Sequence, residues 1–118
     1  MAEIKINILL ESSFEKINKT CQGTKEDNQI TYQDGLDQVS LKIINNDLIL
    51  TKSNNDYKIT INLQQKKSHG SYLDLKTGLE LKLNVKQELL EIGEDYFTFQ
   101  YIIEENKINC HLKYEVLE

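Results

Sequence analysis

Leu79-Glu80-Leu81-Lys82-Leu83-Asn84-Val85-Lys86 alternates apolar and polar residues without a break. Successive side chains of an extended strand point to opposite faces, so the leucines and Val85 share one face and the polar residues the other. The same period of two sets Tyr57, Ile59, Ile61 and Leu63 against Lys58, Thr60, Asn62 and Gln64. It returns with Ile108, Cys110, Leu112, Tyr114 and Val116 against Asn109, His111, Lys113 and Glu115. Phe97, Phe99, Tyr101 and Ile103 share a face, as do Ile4, Ile6, Ile8 and Leu10, and Val39, Leu41 and Ile43. No stretch sustains the i, i+3, i+4 spacing of an amphipathic helix. The chain is all-β.

Turn chemistry supports this reading. Asn45-Asn46-Asp47, Asn54-Asn55-Asp56, Thr77-Gly78 and Glu105-Asn106 each separate two alternating runs. Asn, Asp and Gly tolerate the left-handed backbone that tight hairpins need. The pattern gives about 8–10 short antiparallel strands joined by hairpins, with no linker or repeat. Two stretches are less regular. Ser12–Lys19 shows no clear period, and Lys86–Asp95 reads as either a helical turn or, preferably, a β-bulge that bends a strand at a barrel corner. Strands with one apolar face must cover one another in a sandwich or a barrel. The run of hairpins without a long crossover favours a closed up-and-down barrel, which also removes edges that a chain without proline does little else to protect.

At 118 residues the chain fits one domain, taken as residues 1–118, that can bury a core without disulfides or metal. It holds no apolar run long enough to span a membrane, and Met1–Leu10 already alternates like a strand instead of a leader. A cytoplasmic protein is expected. The net charge is −5 and every basic residue is Lys, so no planar arginine fork is available to grip phosphate. That balance argues against nucleic acid, and Lys66-Lys67, the only adjacent basic pair, reads as a solvated loop. Cys21 and Cys110 lie far apart with no metal-ligand spacing, and Cys110 falls on an apolar register as a small core residue.

Several segments resemble the YwiB-like family, small calycin-type β-barrels of Gram-positive bacteria classed as a domain of unknown function. Ile30-Thr31-Tyr32-Gln33-Asp34 is similar to its tyrosine-acidic strand, and Leu48-Ile49-Leu50-Thr51-Lys52 to its strand ending in a basic residue. Tyr72–Gly78 followed by the alternation from Leu79 to Val85 resembles its tyrosine-threonine-turn-glycine segment and the long strand after it. Phe97-Thr98-Phe99-Gln100-Tyr101 and Leu112-Lys113-Tyr114-Glu115 resemble its terminal hairpin. Three positions depart from the family pattern. Lys52 stands in place of Arg, Asp74 in place of threonine, and Gly78 falls one position late. The resemblance implies a calycin- or lipocalin-like barrel and carries no established activity.

Catalytic chemistry is not visible. His111 alternates outward and His69 lies in a polar loop, so neither is set beside a Ser or Cys nucleophile. Carboxylates such as Glu80 and Glu115 take the outward register, and Asp47, Asp56 and Asp95 fall in turns, which scatters any acid/base pair or metal set. No catalytic residue, metal or cofactor is assigned. What remains is the interior, because eight-stranded barrels are filled by side chains or hold one small ligand. A non-enzymatic barrel that binds a small apolar ligand would use Tyr72, Tyr101, Tyr114 and Lys52 near its site, Lys52 being the one cation considered for the inward register. The alternative, and the favoured state of the interior, is a filled core in an interaction module, a homodimer or a partner of another protein. In that case Leu9, Ile44, Ile49 and Ile102 on the outward register could form the contact.

Overall fold

The computed structural model describes residues 1–64 and 67–117. All regular structure in them is strand: β1 (Ala2–Glu11), β2 (Lys16–Glu26), β3 (Gln29–Asp34), β4 (Asp37–Ile44), β5 (Asp47–Ser53), β6 (Tyr57–Leu63), β7 (His69–Asp74), β8 (Glu80–Leu83), β9 (Val85–Ile92), β10 (Tyr96–Ile103) and β11 (Asn106–Val116). No helix among the described residues is long and apolar enough to cross a membrane. Each strand pairs antiparallel with its neighbour in the chain from β1 to β8 and from β9 to β11, and β1 pairs with β11. The result is a nearly closed up-and-down barrel.

The seam lies between β8 and β9, the two ends of the sheet. Asn84 separates them in sequence. The chain pairs with β7 through Glu80–Leu83, then with β10 through Val85–Ile92, so one continuous stretch passes from one margin of the sheet to the other. Glu104 fastens the transfer, its N–H donating to Asn84 O at 3.1 Å and its carboxylate accepting the Asn84 N–H at 2.7 Å. Val85 packs on Gly70, where a Cβ would stand 3.0 Å from Val85 Cγ2.

The core is the set of inward registers. Ile4, Ile6, Ile8, Ile30, Leu41, Leu48, Leu63, Phe97, Phe99 and Leu112 are buried, and so are Cys110, Tyr101 and Tyr114, as their alternation requires. Asn45 and Asn46 both adopt positive φ, the left-handed hairpin turn expected of them. The turn placed at Glu105-Asn106 falls one residue earlier, on Glu104 and Glu105, because Asn106 already begins β11. The irregularity after Lys86 is a β-bulge. Gln100 pairs with Leu89 and Tyr101 with Gln87, which leaves Glu88 as the extra residue.

Two expectations need correction. The eleven strands exceed the count from periodicity, because β2 starts inside the irregular Ser12–Lys19 stretch and the long strand from Leu79 divides at Asn84. The alternation from Leu79 is a strand pattern, but only its second half reaches the core: Leu83 lines the interior and Val85 packs against the core, while Leu79 is 61% and Leu81 53% exposed. The latter two lie at the seam, where nothing in the described residues covers them. Of the Lys66-Lys67 pair, Lys66 falls outside the described residues and Lys67 is exposed.

Candidate binding site at the barrel mouth

Alternate hairpins of a meander fall at alternate ends of the barrel, so the β3–β4, β5–β6 and β7–β8 turns share one end. Backbone contacts agree: Leu75 N–H donates to Asp56 O at 2.9 Å across two of these turns. The inward residues nearest this end are polar. Asp34 and Asp37 are register partners across the β3–β4 hairpin. Lys19 of β2 pairs with Asp34, and Lys52 of β5 lies 3.5 Å from Asp37. Asp37 also accepts hydrogen bonds from Asn54 Nδ2 at 2.7 Å and from the Tyr57 hydroxyl at 3.1 Å. The Tyr57 ring stacks on Tyr72 with centroids 5.6 Å apart.

Partial burial of Asp37 disfavours its charge, but the bonds from Asn54 and Tyr57 and the ammonium of Lys52 outweigh that cost and hold the carboxyl below the usual range. A depressed folded value means that the cluster's contribution is complete above the ordinary carboxylate range. It is lost as the pH falls through the value Asp37 has in the fold. Acid titration followed by the Asp37 carboxyl NMR shift should therefore show a midpoint below that of a free aspartate, and Lys52→Met should move it upward.

Below this ring the interior is open. A cavity of about 250 Å³ is lined by apolar side chains of every quadrant, including Leu41, Ile61, Phe99 and Leu112, with Tyr32, Tyr101, Asp34 and Lys52 as its polar members. Within the described residues neither the Tyr32 nor the Tyr101 hydroxyl finds a hydrogen-bond partner, and burial pushes both phenols far above their ordinary pKa. Cys110 also lines the cavity, its thiol pushed up to about 12 by burial. It should react slowly with a thiol reagent in the native protein and quickly after denaturation. Equal rates in both states would mean that β11 has slipped by one residue.

Of the residues named from sequence, the cavity brings together Lys52 and Tyr101. Tyr72 is not in its lining and stands beside the mouth through its stack on Tyr57. Tyr114 belongs to the other end. Its hydroxyl donates to Glu94 O at 2.8 Å and its ring stacks on Phe97, so the core there is filled. Tyr32, Asp34 and Lys19 were not singled out as site residues, although Ile30, Tyr32 and Asp34 are in phase on β3, and Ile17, Lys19 and Cys21 on β2. His111 is an exposed strand residue bonded to Thr98 Oγ1 at 2.7 Å. His69 is exposed at the start of β7 on an outer cleft at the seam. Asp74, where the resemblance implied threonine, builds the β7–β8 turn by accepting from the Lys76 and Thr77 amides at 2.9 and 3.3 Å. Leu9, Ile44, Ile49 and Ile102 form no single patch. Ile44 and Ile49 are diagonal neighbours on β4 and β5, while Leu9 and Ile102 lie on β1 and β10.

No family model and no curated protein matches the chain. Among solved structures it is similar to the ywiB protein from Bacillus subtilis, with 13% sequence identity, 98% of this chain and 91% of that one covered, and a TM-score of 0.63. At that identity the likeness is one of fold, and it agrees with the barrel implied by the sequence resemblance.

Proposed function

We propose, on the premise of that shared fold, that the chain is a non-enzymatic binding barrel that takes one small, mostly apolar molecule with a polar end into the cavity beneath Lys52. The observation that carries this reading is the apolar cavity itself, whose lining includes two phenols, Tyr32 and Tyr101, with no hydrogen bond among the described residues. A phenol O–H is a donor, and neither of these is spent on a described protein acceptor, so an acceptor brought by a guest has a ready place. Size supports it as well. A cavity of about 150 Å³ lined by aliphatic residues accepts benzene, and this one, at about 250 Å³, suits a body somewhat larger. The cations at the mouth, Lys19 and Lys52, are already matched by Asp34 and Asp37, which favours a neutral hydrogen-bonding end over a free carboxylate.

The reading is non-enzymatic because both histidines are exposed and outside the lining, so Cys110 has no imidazole beside it there. It is cytoplasmic because the free thiols of Cys21 and Cys110 suit a reducing compartment. With net charge −5 and no arginine, nucleic acid is not a partner. The alternative reading, an interaction module with a filled interior, draws on the Tyr114 end of the barrel.

Titration with 2-acetylnaphthalene, a fluorescent ketone with one acceptor, tests the reading. Saturable one-to-one binding is expected. Tyr101→Phe should weaken it about 3- to 10-fold through a lost hydrogen bond, while Tyr114→Phe leaves it unchanged. Non-saturable binding, or equal effects of the two changes, would sink the proposal.

A further inference from the structure

The free margin of the sheet carries a separate message. β8 pairs with β7 through Glu80, Leu81, Lys82 and Leu83, and no strand among the described residues pairs with its other side. Such an edge offers unpaired amides and carbonyls to another strand, and proteins blunt it with short strands, charges, proline or a bulge. β8 is short and charged but has no proline or bulge, and its charges are of a kind that a second copy can match. Its exposed polar positions are of opposite sign, Glu80 and Lys82, on either side of Leu81. Leu81, and Leu79 just before the strand, are 53% and 61% exposed, while Leu83 on the same face turns to the interior.

From this geometry we infer that β8 is a docking edge for a second copy of the chain, joined as an antiparallel strand pair about a two-fold axis through Leu81. A two-fold interface is self-complementary, each residue meeting its symmetry partner's counterpart. Centred on Leu81, Glu80 of each copy faces Lys82 of the other, Leu79 faces Leu83, and Leu81 faces itself. Centring on Glu80 or on Lys82 sets like charges directly opposite, which destabilises a strand pair. A slip by one residue puts the leucines of the two copies on different faces. Among the centres Glu80, Leu81 and Lys82, only Leu81 satisfies both charge and face. Short strands, four residues each, make this an edge contact that adds to the sheet without altering either barrel. The inference does not depend on whether the cavity holds a ligand.

Sedimentation velocity of the full chain, run over a concentration series, reads it out. Wild type should pass from monomer to dimer. Glu80→Lys and Lys82→Glu each turn two attractive pairs into two repulsive ones. Each should raise the dimer dissociation constant by about tenfold or more. Both positions are exposed, and an unchanged circular-dichroism melt confirms that each variant folds. An equimolar mixture of the two variants restores opposite charges across the axis and should dimerise again, as should the doubly swapped chain. A wild type that stays monomeric throughout, a dimer indifferent to the single reversals, or a mixture that stays monomeric would each overturn the inference.

Discussion

Tyr114→Ala is expected to cost about 3–5 kcal/mol, the usual range for truncating an aromatic in a packed core. The reasons are local. The ring is 8% exposed and stacks on Phe97 at 6.2 Å, and its hydroxyl holds the carbonyl of Glu94. Truncation empties a filled site and strips that carbonyl of a donor at once. Tyr101→Ala should cost about half as much, although the ring is 6% exposed and equally large. Tyr101 borders the cavity, so its removal enlarges an existing space, and its hydroxyl has no bond in the described residues to lose. Urea unfolding of the two variants with equal m-values measures the contrast. Equal losses would mean that the interior is filled alike at both ends.

Gly23→Ala should also be severe, at about 1–3 kcal/mol or more, as overpacking of a close-packed interior. Gly23 sits on β2 opposite Tyr32 of β3 and Ile4 of β1. A Cβ there would stand 2.5 Å from the carbonyl oxygen of Thr31 and 2.8 Å from Ile6 Cδ1. Ile6 could turn or be shortened, but the carbonyl belongs to the ladder and cannot withdraw without breaking the sheet. Ile6→Val should therefore relieve little of the Gly23→Ala loss. If the double variant recovers most of the stability, the side chain and not the backbone sets the limit at this crossing.

Strand identity was legible wherever the inward residues are apolar, as on β1, β4, β6, β10 and β11. β2 escaped because its inward positions include Lys19, Gly23 and Lys25, which erase the period although the backbone is as extended as its neighbours. The opposite failure occurred on β8. Alternation there states correctly that Leu79 and Leu81 share a face, yet it cannot say what covers that face, and at the seam nothing among the described residues covers these two side chains. The candidate site failed in the same way. Tyr101 and Tyr114 both point inward, as their phase requires. Phase is silent about height along the barrel axis, and height separates the open end from the filled one. Lys52 was found because it ends an apolar strand in register. Tyr32 and Asp34 were equally in phase with Ile30, and only their pairing to Val39 and Asp37 brings them to the same mouth.

The proposed function requires that one end of this barrel be open for a single small guest. Native mass spectrometry of the chain, purified gently from the cells that make it, tests that most directly, with Cys110→Phe prepared alongside. Cys110 lines the cavity, and a phenyl ring there would occupy much of the roughly 250 Å³. Wild type is expected to carry one non-covalent molecule per chain, lost on collisional activation, and Cys110→Phe to fly at its bare mass. Bare mass for the wild type, or the same adduct on both proteins, would contradict the proposed function.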